Sequence, residues 1–309
     1  MNKPSFDQYY RYDEMTQLLR DFTQAFPQLA TIESIGQSYE RRDIWALTIT
    51  QTATGLDREK PGFYVDGNIH GSEVTASVTA LYFAWKLLSS YGEEVAITRL
   101  LDANAVYIIP AISPDGVEHV LSGTRLYPHE EEARRPASTG RGRGRGWANP
   151  LYAHRGSGRR LEGFNKRSAA ALVPRRFNDS EGPFYRVYPE GLIRNFDGVE
   201  VVEATRKQGL DFNRNFPANW QPEVNQQGAG NYPFSESETR ALAEFITAHP
   251  NICGLHTLHT GMESIIRPPI TQTDQQMPQA DLKRVREISN YGVEATGYVL
   301  FSGRTLVDD

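Results

Sequence analysis

Apolar positions along this chain follow two periods, and each change of period marks a new element. Met15, Leu18, Leu19, Phe22 and Phe26 recur every three or four residues, which predicts a helix that Asp13 can cap and Pro27 ends. Residues 31–36 and 44–50 read as strands joined by the polar turn QSYERRD. Residues 62–92 combine both periods: a short apolar strand (Phe63, Tyr64, Val65), a Gly-Asn turn, and a helix whose apolar positions are Val74, Val78, Leu81, Trp85 and Leu88. The run AVYIIP at 105–110 is continuously apolar, as expected of a strand buried on both faces. Further on, Ser235 and Glu238 form a capping-box pattern opening a helix over 238–248. Residues 252–260 (ICGLHTLHT) read as a strand and 280–292 as a last amphipathic helix. Strands and helices alternate, so the expected class is α/β, with a mixed or largely parallel sheet covered by helices.

Composition narrows this picture only a little. The chain has 309 residues, 39% of them apolar, and a formal net charge of −5, values ordinary for a soluble globular protein. That charge gives no overall argument for nucleic acid or membrane as a partner. Cys253 is the only cysteine, which excludes an intrachain disulfide and a cysteine-rich zinc site. The first residues, MNKPSFDQYYRYDEM, contain no apolar targeting core, and no later segment has the uninterrupted apolar length of a membrane helix; the expected location is cytoplasmic.

One stretch breaks the pattern. Between about 129 and 178 neither period is visible, RGRGRG occupies 141–146, and Glu162 is the only acid between Ala133 and Asn178. A basic RNA-binding arm is one reading, but a solvated, low-order insertion within one 309-residue domain weighs more, because no interleaved aromatics accompany the charge. Alternating Arg and Gly is also what a shifted reading of GC-rich codons yields.

The candidate chemistry sits in residues 62–92. His70 and Glu73 lie three apart at the strand-to-helix junction, where a first helical turn puts both on one face. Imidazole and carboxylate both suit a borderline-soft divalent metal such as zinc. A third ligand must come from downstream, and His256 and His259 compete for it. Side chains three apart on a strand point to opposite sides, so only one can face a shared metal, and His259 at the strand's end is the better placed.

These motifs, in this order, resemble the M14 zinc carboxypeptidase family: HGSE at 70–73 after an apolar strand, SPDG at 113–116, NRNF at 213–216, and TLHT at 257–260 followed by IIRPP. The resemblance covers nearly everything outside the basic insertion. It implies a three-layer α/β/α fold with a mixed, mostly parallel central sheet. It also implies one zinc ion per chain, held by His70, Glu73 and His259, and hydrolysis of a peptide's C-terminal bond through a zinc-activated water. Asn213 and Arg214 match the family's pair that grips the substrate's free C-terminal carboxylate, and Arg125 in TRLYP resembles an arginine that stabilises the oxyanion.

Two departures accompany the resemblance. Pro128 and His129 stand where a further arginine is expected, and no acid beyond His259 lies in the context of the family's general-base glutamate. The sequence thus leads to the expectation that the C-terminal part bearing that base and the last strands is missing. A zinc metallocarboxypeptidase is the leading reading. The alternatives are a catalytically impaired zinc-dependent binder of peptides or carboxylates, and a zinc amide hydrolase of small acylated amino acids.

Overall fold

The computed structural model describes residues 1, 3–121, 164–168, 171–174, 184–185, 210–222, 224–226 and 228–304. Their contacts group them into two compact units, Met1–Thr260 and Gly261–Asp309.

In the first unit the chain opens with helix α1 (Tyr12–Ala25). Strands β1 (Ala30–Gln37) and β2 (Asp43–Ile49) follow as an antiparallel hairpin. Next come β3 (Gly62–Gly67), α2 (Val74–Ser90), α3 (Val95–Ala103), β4 (Ala105–Ile109) and α4 (Pro114–Leu121). A small antiparallel sheet has the order β6-β5-β7, with β5 at Phe164–Ser168, β6 at Ala171–Pro174 and β7 at Phe184–Tyr185. It begins inside the basic stretch, most of which lies outside the described residues. Helix α5 (Ser237–Ala248) and strand β8 (Ile252–Leu258) complete the unit.

The central sheet runs β1-β2-β4-β3-β8, with β3 parallel to both β4 and β8, and β2 antiparallel to β1 and β4. Its centre is buried on both sides, and β4 shows why. Val106 and Ile108 join the core beneath α1 and α2, with Leu19, Phe22, Leu81 and Leu88. Ala105, Tyr107 and Ile109, which point the other way, join the core beneath α5, with Leu242 and Phe245. A strand covered by helices on both faces must be apolar throughout, and AVYII is. The result is the expected three-layer α/β/α arrangement around a mixed sheet.

Two capping expectations are corrected. Helix α1 begins at Tyr12, so Asp13 lies within its first turn; Glu14 instead reaches back to accept the Arg11 backbone N–H at 2.8 Å. Ser235 and Glu238 do not form a capping box. Ser235 Oγ donates to Glu236 at 2.8 Å, while the Glu238 carboxylate accepts the distant Tyr39 N–H at 3.0 Å. A different local partner won at α1, and a distant one at α5.

The second unit is a βαβ element of β9 (Ser264–Arg267), α6 (Gln279–Thr296) and β10 (Val299–Ser302), whose two strands pair in parallel. Arg267 is buried and donates to Asp274 at 2.6 and 2.9 Å, and Asp274 also accepts from Arg286 at 2.7 Å. Helix α6 stops at Gly297, whose φ of +74° is the left-handed conformation that glycine adopts without a Cβ penalty. Among the described residues, no helix is long and apolar enough to cross a membrane.

Candidate metal centre

The parallel pairing of β3 with β8 sets Gly67 opposite Leu258, so the two strands end side by side. His70 lies three residues beyond Gly67, and His259 one residue beyond Leu258. Both therefore emerge at the carboxyl ends of parallel strands, where open α/β sheets bind their ligands. Glu73 immediately precedes α2, and its backbone N–H closes a turn onto the His70 carbonyl at 3.0 Å.

The structure brings together His70, Glu73 and His259, whose ligand atoms all lie within 4.8 Å of one another. The Glu73 carboxylate sits between the two rings, 3.0 Å from His70 Nδ1 through one oxygen and 3.0 Å from His259 Nδ1 through the other. The ring centroids are 5.0 Å apart. His256 does not join them; it lies within β8 with its Cα opposite Val65. Two imidazole nitrogens and a carboxylate oxygen, converging from rigid elements, are a donor set that fits one divalent zinc ion and leaves a coordination position open.

Behind His70 stands Asp211, which the sequence reading did not single out. Its side chain is 1% exposed, and Oδ1 lies 3.4 Å from His70 Nε2. The same oxygen accepts the Asn213 backbone N–H at 2.9 Å, at the head of the short turn Phe212–Arg214. A buried acid two residues before NRNF was the available signal, yet nothing local ties it to His70. Burial works against charge on His70, but hydrogen bonds to Asp211 and Glu73 outweigh it and raise the imidazole above its ordinary value. Burial likewise opposes the Glu73 anion, and the hydrogen bonds from His259 and His70 outweigh that to hold the carboxyl low. The cluster stabilises positive charge between its carboxylates, the electrostatic condition a bound cation needs.

Asn213 and Arg214 reach the same place. Asn213 Nδ2 is 3.2 Å from His70 Nε2. Arg214 Nε is 3.9 Å from Asp211 Oδ2, and its side chain is 40% exposed. Arg125 lies outside the described residues, as does the RGRGRG run.

The SPDG segment supports the site from below. The Ser113 N–H donates to the Asn68 carbonyl at 3.1 Å, and a Cβ on Gly116 would come within 2.4 Å of Gly71 Cα. Buried Asp115 anchors this segment by accepting Ser38 Oγ at 2.6 Å, Arg42 at 2.7 Å and the Glu40 N–H at 2.8 Å.

A His-Glu-His cluster at the carboxyl edge of a mixed α/β sheet, with a carboxylate behind the first histidine, defines the class of mononuclear zinc hydrolase sites. The zinc carboxypeptidase family (peptidase M14) matches residues 15–301, and the chain belongs to that family, whose members carry one zinc ion. Among curated relatives, carboxypeptidase A4 of Mus musculus is 29% identical over 148 residues, which cover 47% of this chain and 33% of that protein. Carboxypeptidase A2 of Mus musculus is 32% identical over 123 residues, covering 40% of this chain and 28% of that protein. The matched segments thus span about a third of those relatives' lengths. The fold is shared with carboxypeptidase A from Helicoverpa armigera, at a TM-score of 0.63 and 20% identity over 97% of this chain and 59% of that one. It is shared also with thrombin activatable fibrinolysis inhibitor, at 0.62 and 20% over 96% and 60%.

Proposed function

We propose that this chain holds zinc through His70, Glu73 and His259 and acts as a metallocarboxypeptidase, removing the C-terminal residue of peptides. The observation that carries this reading is the convergence of those three side chains within 4.8 Å. Zinc in such a site supplies Lewis-acid polarisation of the scissile carbonyl and activation of a water. The protein's own groups set the conditions. Asp211 and Asn213 engage His70 Nε2, leaving Nδ1, the atom facing Glu73, as the nitrogen to ligate. The Glu73 carboxylate, kept ionised by its two histidines, contributes the negative charge that favours a divalent ion.

Substrate selection falls to Asn213 and Arg214. A guanidinium fork pairs bidentately with a carboxylate, and an Arg that recognises a free chain end makes the enzyme an exopeptidase. The placement of Asn213 beside His70 and of Arg214 beside Asp211, with the Arg214 side chain 40% exposed, supports that role. The partner is then a peptide with a free C-terminal carboxylate.

The test is release of C-terminal amino acids from a peptide mixture by the chain loaded with one equivalent of zinc. Release that disappears in Arg214→Ala, with zinc retained, supports the reading. Retained zinc and saturable peptide binding without any release would reduce the chain to a zinc-dependent binder.

A further inference from the structure

The chain between the first two proposed ligands is gripped from two sides, and one grip belongs to a residue with no part in the chemistry above. Asn68 is fully buried and has φ of +59°, a left-handed conformation uncommon for a residue with a side chain and most accessible to Asn and Asp. Its side-chain Nδ2 donates to the His70 carbonyl at 3.0 Å and to the Gly71 carbonyl at 3.3 Å. The His70 carbonyl also accepts the Glu73 N–H, so one oxygen is shared by the closing turn and by Asn68. On the far side, Gly71 is in contact range of Gly116 at the start of α4.

The remaining atom of the amide says which way the residue is used. Among the described residues, Asn68 Oδ1 is buried without a hydrogen-bond partner. Turning the amide over would aim that oxygen at two carbonyl oxygens, so the observed orientation follows from the network. A left-handed backbone and an unsatisfied buried oxygen both work against stability at this position. Such features persist where the surroundings over-determine them, and they cluster at functional sites.

We infer that Asn68 is a positioning residue for the metal centre: its amide clamps the peptide groups of His70 and Gly71 and so presets the spacing and direction of His70 and Glu73. The inference rests on the proposed zinc site. With the 70 and 71 carbonyls tied inward to Asn68, the peptide planes between the two ligands are fixed before any ion arrives. Without the clamp, the turn loses two of the hydrogen bonds that hold it among the described residues, and part of the binding free energy goes into ordering it.

The experiment measures zinc affinity by chelator competition, together with thermal unfolding of the metal-free chain. Asn68→Gly keeps the left-handed backbone accessible and removes both donors; Asn68→Asp keeps the shape and turns the donor into an acceptor. Each is expected to weaken zinc binding 10–100-fold, the range typical of groups that orient ligands, with metal-free unfolding of Asn68→Gly within a few degrees of wild type and that of Asn68→Asp lowered, because its buried oxygen meets two carbonyls. Wild-type zinc affinity in Asn68→Gly overturns the inference. A lowered unfolding temperature without loss of affinity, or failure to fold, also overturns it by assigning Asn68 a merely structural role. His259→Ala run alongside separates the two readings: if it binds zinc as wild type does, the metal site itself is wrong and the inference falls with it.

Discussion

Asp211 Oδ1 lies 3.4 Å from His70 Nε2 across 141 positions of chain, and it also accepts the backbone N–H of Asn213. One buried carboxylate thereby lies against a proposed zinc ligand and holds the segment proposed to grip the substrate. Asp211→Asn preserves shape and an acceptor for Asn213 while removing the charge. It should weaken zinc binding about 10- to 100-fold, read by chelator competition; unchanged affinity would show that the contact has no bearing on the metal.

The three proposed ligands can be tested directly by metal analysis. Wild type should carry one zinc per chain, and Glu73→Gln or His259→Ala should retain less than about a tenth of that after dialysis, since each removes one of three protein donors. His256→Ala should stay at full occupancy. Zinc lost from His256→Ala but kept in His259→Ala would reverse the choice between the two histidines.

Gly116 gives a prediction on packing. It lies in α4, where Ala is ordinarily favoured over Gly by about 1 kcal/mol. A Cβ there would sit 2.4 Å from Gly71 Cα and 2.7 Å from Ser113 Oγ, neither of them the far end of a flexible side chain. Gly116→Ala should therefore destabilise by about 1–3 kcal/mol despite its better helix propensity. Chemical denaturation decides; a stabilised variant would mean that the contact relaxes without cost.

Glu238 carries a pH dependence. Burial raises its carboxyl from the ordinary 4.5 to about 7, and neighbouring Asp115 pushes the same way. Between those values the folded protein keeps a proton that the unfolded chain has released, so this group's contribution to stability falls as pH rises through the window and is level above it. Glu238→Gln removes the titration. Relative to wild type it should gain stability between pH 4.5 and 8, by on the order of 3 kcal/mol at most. Urea unfolding of both proteins at the two pH values measures the difference, and a constant difference would place the carboxyl's pKa near its ordinary value.

Much of this protein is legible in local patterns because local physics makes them. The continuous run AVYII announces a strand covered on both faces, and the helix after Gly67 keeps its apolar period because only one stripe can face the sheet. His70 and Glu73 are readable as a pair because the turn that joins them is built from adjacent residues. The preference for His259 over His256 follows from strand alternation, and the structure sets His259 with the pair and His256 apart.

Other features depend on contacts that no window of sequence contains. Asp13 and Glu238 are good capping residues, yet Glu14 caps α1 and Glu238 turns to Tyr39, 199 positions away. Several residues within one turn can serve as caps, and for Glu238 a distant partner decides. Sequence alone determined the alternation of strands and helices, the residue types able to hold zinc, and the strand end from which the proposed third ligand comes. Tertiary structure alone decided that β8 lies parallel to β3, which carries His259 to His70, and that Asp211 and Asn68 stand behind and beneath the first ligand. The physical reason is that hydrophobic period and ligand chemistry are properties of single elements, whereas the convergence of atoms within a few ångströms is a property of how those elements pack.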